Sequence, residues 1–103
     1  METNEILDTS VAIGRKEGTV TIFTFIEHTP SSKKGFEVEI PRYSDYHRAI
    51  RLAEQLRAKG TPVGAMDILI ASMCLNRSAT IVTKDKDFDV IKKVAPELKV
   101  KRV

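Results

Sequence analysis

Residues 60–88 read GTPVGAMDILIASMCLNRSATIVTKDKDF, and the division of this stretch decides the fold. Gly60, Pro62 and Gly64 precede an apolar run that continues to Asn76. The run is too long for an ordinary strand and predicts a largely buried helix of about 12 residues. ATIVTK then supplies a short β-branched strand, and DKDFDVIKKV reads as a loop entering a short helix. Asp67 stands in the first turn of the apolar helix. A carboxylate there is costly unless it is paired, hydrogen-bonded or bound to a metal, although the positive helix end eases its charge.

Upstream, NEILD at residues 4–8 reads as a first strand finishing at Asp8, and TSVAIGRKEG as a brief helix or a turn. TVTIFTF at 19–25 predicts a second strand that turns helical, if at all, just before Glu27; Pro30 limits its continuation. PSSKKG has the composition of an exposed loop, and FEVEI alternates as a half-buried strand would, with Glu37 and Glu39 facing solvent. From Tyr43 to Lys59 the spacing of Tyr46, Ile50, Ala53 and Leu56 predicts an amphipathic helix, with Ser44 as cap and Gly60 as stop. LKVKRV provides a last strand. Alternating strands and helices over this length predict an α/β fold, a three-layer α/β/α sandwich around a central parallel sheet.

A chain of 103 residues, 42% of them apolar, supports one modest core, so residues 1–103 are expected to form a single domain. The formal charge of +3 mildly favours a polyanionic partner, and the positive residues gather late, in IKKVAPELKVKRV. Cys74 is the sole cysteine and lies within the apolar run, which excludes an internal disulfide and points to a reducing compartment. The N-terminal residues lack a signal-peptide pattern and no apolar run approaches the length of a membrane span, so a cytoplasmic protein without membrane attachment is expected. GTPVGAMD lacks the Gly-Lys-Ser/Thr ending of a nucleotide-binding loop.

Asp8, Glu27, Asp67 and Asp85 each sit where an apolar or amphipathic segment begins or ends. Far apart in sequence, they converge if those segments form one parallel sheet, because open α/β sheets carry their chemistry at the carboxyl edge. Taken singly, each is an ordinary surface or capping acid. Asp87 is the near alternative to Asp85. Together they describe a carboxylate-lined site suited to a hard divalent cation. His28 and His47 each lack a second histidine or cysteine close by and read as structural or exposed.

ILDTSVAI, FTFIEHTP, the whole stretch from Gly60 to Phe88 and the closing LKV together resemble a PIN domain, more narrowly the VapC-like ribonuclease toxins of toxin–antitoxin pairs. The most selective part is the Gly-rich lead-in, the Asp within an apolar helix and the Thr-x-Asp-x-Asp-Phe turn, in that order. The resemblance implies that Asp8, Glu27, Asp67 and Asp85, with Asp87 beside them, bind Mg²⁺ or Mn²⁺. It also implies an RNA substrate, cleavage by water to a 3′-hydroxyl and a 5′-phosphate, a small antitoxin partner and a homodimer. Thr83, Ser10 and Thr9 are candidates for orienting the acids. The connections after Asp8 and after Glu27 are shorter than the helices usual in that family. This favours an alternative, a weak or inactive PIN-like module that binds RNA or a protein. A receiver-like phosphoacceptor, suggested by the acids and the Thr83-Lys84 pair, fits the motif order less well.

Overall fold

Five strands form one sheet in the order β3-β2-β1-β4-β5, all parallel, in a computed structural model that describes residues 4–103. The elements run β1 (Glu5–Leu7), α1 (Thr9–Ala12), β2 (Glu17–Thr21), α2 (Ile22–Glu27), a 3₁₀ turn (Thr29–Lys33), β3 (Gly35–Glu39), α3 (Tyr43–Ala58), α4 (Ala65–Arg77), β4 (Thr80–Thr83), α5 (Asp87–Lys92) and β5 (Lys99–Arg102). The chain leaves β1 outward through β2 and β3, then returns to place β4 on β1's other side. That reversal is a topological switch point, and it opens a crevice beyond the carboxyl ends of β1 and β4.

Adjacent apolar residues in β1 (Ile6, Leu7) and β4 (Ile81, Val82) are all buried, because both faces of these strands are covered. Ile6 pairs with Ile81 and Leu7 with Val82. Successive side chains point to opposite faces, so Ile6 and Ile81 join the larger core with Leu52, Leu56, Phe88 and Leu98. Leu7 and Val82 join Val11, Ala12 and Val20 in the smaller one. Helices pack on both sides of the sheet, giving the three-layer α/β arrangement expected.

Most of the predicted elements appear, with five corrections. The second strand runs from Glu17 to Thr21, and Ile22–Glu27 is helical throughout. The β-branched and aromatic residues of TVTIFTF favour a strand locally, but Phe23 packs against the larger core and Phe25 against the smaller, so tertiary packing decides. Of residues 30–35, expected as an exposed loop, 30–33 belong to the 3₁₀ turn Thr29–Lys33, in which Ser31 is buried and bonds His28 Nδ1 at 2.8 Å.

On α3, Tyr46 and Ile50 do not face the core: they are 49% and 60% exposed, while Leu52 and Leu56 are buried. Asp45 explains this rotation, since the helix turns its buried face to place that carboxylate, 0% exposed, against α4. Asn76 Nδ2 donates to Asp45 Oδ1 at 2.8 Å, and Arg77 Nη1 lies 3.0 and 3.1 Å from the two oxygens. The Arg42 backbone N–H donates to Asp45 Oδ2 at 2.7 Å, so Asp45 rather than Ser44 satisfies the start of the helix. Burial opposes ionisation of Asp45, but Arg77, the Arg42 N–H and Asn76 together hold its carboxyl below the usual value. Glu39, expected in solvent, forms an ion pair with Arg77 at 3.5 Å. Gly60 ends α3 with φ +71°, a left-handed conformation that favours glycine.

Candidate metal centre

Asp8 follows β1 immediately, and its backbone N–H continues the sheet by donating to Val82 O at 2.9 Å. Its carbonyl then accepts the N–H groups of Val11 and Ala12, so the residue is fixed between strand and helix. Asp8 Oδ2 accepts hydrogen bonds from Ser10 Oγ at 2.8 Å and from Thr83 Oγ1 at 2.9 Å. Thr83 closes β4 and is fully buried. Its oxygen also accepts the Asp85 N–H at 2.9 Å, so one hydroxyl links the first acid to the loop carrying the fourth. Asp85 Oδ1 in turn accepts the Asp87 N–H at 3.0 Å, a side-chain turn that presents both carboxyls at the start of α5.

Asp67 enters from α4, in its first turn. Carboxylate oxygens of Asp67, Asp85 and Asp87 all lie within 4.8 Å of one another, and all three residues are partly buried. Desolvation, then the negative charges of Asp85, Asp8 and Asp87, then a hydrogen bond with Asp87, push the Asp67 carboxyl up to about 7. Both Asp85 and Asp87, read from sequence as alternatives, therefore belong to the cluster. Asp8 is coupled to it through Thr83 and through its charge on Asp67. An all-carboxylate donor set that holds excess negative charge fits a hard divalent cation.

Glu27 stands apart from the three-carboxylate group. It is exposed at the end of α2, and its Oε1 accepts a hydrogen bond from Thr9 Oγ1 at 2.9 Å. Thr9 Oγ1 also lies 2.9 Å from Thr24 Oγ1. Reading the sequence missed Thr24, because a strand spanning it puts residues 24 and 27 on opposite faces. In the observed helix they are three apart and share one. His28 bonds Ser31 and His47 stacks on Tyr43 at 4.5 Å, so each histidine has a local structural role as expected.

The sequence profile of the PIN domain matches residues 26–94, two thirds of the chain and all of the candidate site acids except Asp8. No curated protein sequence matches. Among solved structures, the chain is similar to VapBC-5 from Mycobacterium tuberculosis, of the VapBC family of toxin–antitoxin systems (19% identity, TM-score 0.77, 99% of this chain and 100% of that one). It is also similar to DNA-bound VapBC from Salmonella typhimurium (19%, 0.76, 98% of each). VapBC2 from Rickettsia felis, bound to a promoter DNA fragment, is comparable (19%, 0.75, 97% and 98%).

Proposed function

We propose that this chain, which belongs to the PIN-domain family, is a metal-dependent endoribonuclease and the toxin of a toxin–antitoxin pair, with residues 1–103 acting as one domain. The observation that carries the reading is the convergence of Asp67, Asp85 and Asp87 within 4.8 Å, with the Asp67 carboxyl raised to about 7. In this reading Asp8, Asp67, Asp85 and Asp87 hold Mg²⁺ or Mn²⁺, and Glu27 binds at the rim. The bound cation supplies an activated water and neutralises charge on the scissile phosphate.

The protein's own groups do the positioning. Ser10 and Thr83 fix the lone pairs of Asp8 that remain free to face inward. Thr83 and the Asp85 turn fix the loop between β4 and α5. Glu27, the exposed acid, aligns the attacking water and accepts its proton. Lys84 and Lys86, exposed on either side of Asp85, contact phosphates of the RNA. Attack by water on phosphorus with departure of the 3′ oxygen leaves a 3′-hydroxyl and a 5′-phosphate.

The solved relatives are VapBC assemblies, and a matching partner here is a small antitoxin. An apolar groove of about 370 Å³ between α3 and α4 supports this, lined by Tyr46, Ile50, Ala53, Ile68 and Leu69. Such a surface suits the apolar face of a partner helix. A homodimer, expected from the resemblance, is checked by sedimentation. Among the described residues no helix is long and apolar enough to cross a membrane. Cys74 is buried and free, with its thiol pushed up by burial to about 12. A cytoplasmic setting is part of the proposal.

The test is cleavage of a mixed RNA pool by wild type and Asp67→Asn with Mg²⁺, Mn²⁺ or EDTA. Cleavage lost with EDTA and in the variant is expected. Absence of cleavage under every metal condition would transfer the reading to a PIN-like binding module, which the position of Glu27 outside the three-carboxylate group favours.

A further inference from the structure

Glu27 is an exposed carboxylate on a six-residue helix, a position where a glutamate side chain ordinarily samples several rotamers. Among the described residues one hydrogen bond restrains it, from Thr9 Oγ1 at 2.9 Å. The proton count at Thr9 then fixes the next contact. A hydroxyl has one proton, and a carboxylate can only accept, so the Thr9 proton goes to Glu27. The 2.9 Å contact between the Thr9 and Thr24 oxygens is therefore a bond in which Thr24 donates. Thr24 is 2% exposed, in the second half-turn of the same helix that ends in Glu27. The result is a directed chain from Thr24 through Thr9 to Glu27, beginning in the protein interior and ending at an exposed carboxylate.

Resting on the metal-site reading above, the geometry points to Thr24 as a positioning residue for Glu27. Its donated proton occupies the Thr9 lone pair and leaves the Thr9 proton one direction in which to point. Donation into Thr9 also polarises the onward bond and strengthens it. Thr9 adjoins Asp8, so the chain ties the second acid to the strand end that carries the first. A valine at position 24 keeps the volume and the branching but removes the donor. It leaves Thr9 free to rotate and Glu27 free to leave. A serine keeps the donor. Thr24 touches neither substrate nor metal in this arrangement and acts only through Thr9.

Two readouts on folded protein test this. The first needs no metal: the side-chain carboxyl ¹³C resonance of Glu27 in wild type, Thr24→Val, Thr24→Ser and Thr9→Val. Thr24→Val is expected to move it toward the Thr9→Val position, with Thr24→Ser near wild type. The second is Mn²⁺ affinity by calorimetry, expected to weaken about tenfold in Thr24→Val, to recover in Thr24→Ser, and to be unaffected by Thr24→Val when Glu27→Gln is already present. A Glu27 resonance that ignores Thr24→Val, or a Mn²⁺ loss of equal size with and without Glu27, overturns the proposal. Wild type that binds no Mn²⁺ refutes the metal-site reading instead, and the carboxyl resonance still decides the role of Thr24.

Discussion

Asp67→Asn should make the metal-free protein more stable, and only above the acidic range. The Asp67 carboxyl titrates near 7 in the fold against 3.8 in an unfolded chain. Each pH unit between those values corresponds to ~1.36 kcal/mol, so the full difference is ~4 kcal/mol. Asp67 is only partly buried, and solvent screening reduces the figure to about 2 kcal/mol. The sign follows from proton binding. Below pH 3.8 both states carry the proton and the residue contributes nothing. Between 3.8 and about 7 the folded state holds a proton that the unfolded state has released, so stability falls as pH rises. Above about 7 the folded state carries the whole repulsion.

An asparagine keeps the shape, offers Asp87 an N–H in place of the proton, and removes the charge. Urea or thermal unfolding in EDTA at pH 8 should show the variant more stable by about 2 kcal/mol, a rise in Tm of roughly 10 °C for a domain of this size. At pH 4 the two proteins should unfold alike. Added Mn²⁺ should stabilise wild type far more than the variant. A variant no more stable at pH 8, or equally stabilised at both pH values, would refute the view that confined negative charge defines this crevice.

Thr83→Val removes a hydroxyl that both donates to Asp8 and accepts from Asp85, and should cost about 1–3 kcal/mol in urea unfolding, with cleavage reduced and Thr83→Ser close to wild type. Arg77→Met strands the buried Asp45 carboxylate and should cost about 3–5 kcal/mol at pH 7. Because the Asp45 carboxyl is held below its usual value, its contribution is present above about pH 4 and lost as pH falls further, so the variant should show a flatter stability profile in acid than wild type. Ile50→Glu, at an exposed position on the α3–α4 groove, should leave stability within about 0.5 kcal/mol and cleavage intact while abolishing inhibition by the antitoxin. Inhibition of that variant at wild-type antitoxin concentrations counts against the groove.

The sequence disclosed the sheet and three of the clustered acids because their signals are local. An Asp in an apolar helix, or two Asp residues flanking a Lys after a β-branched strand, announces itself within a few residues. The strand segments around Ile6 and Ile81 were legible as short apolar runs, whereas their pairing is visible only in the structure. What stayed hidden depends on distant partners. Ile22–Glu27 carries strand-like side chains, and only its contacts with two separate cores make it a helix. The apolar stripe of α3 was legible as a stripe but not as the exposed one, because the competing face is chosen by Asp45 and its partners at Asn76 and Arg77. Glu27 was legible as an acid and Thr9 as a residue to orient one, whereas Thr24 stayed hidden because a period of two sets residues 24 and 27 on opposite faces.

The three-residue strand β1 lies at the middle of the sheet, with β2 on one flank and β4, more than seventy positions later, on the other. Pairings of that separation are slow to form, since the loop between them must close before any contact rewards it. During synthesis the first three strands can assemble early, but β1 keeps an open edge until residues 80–83 emerge. Asp8 meets Thr83 only then. The proposed site is therefore incomplete until the last interior strand has been made, and any activity it supports arrives with that strand.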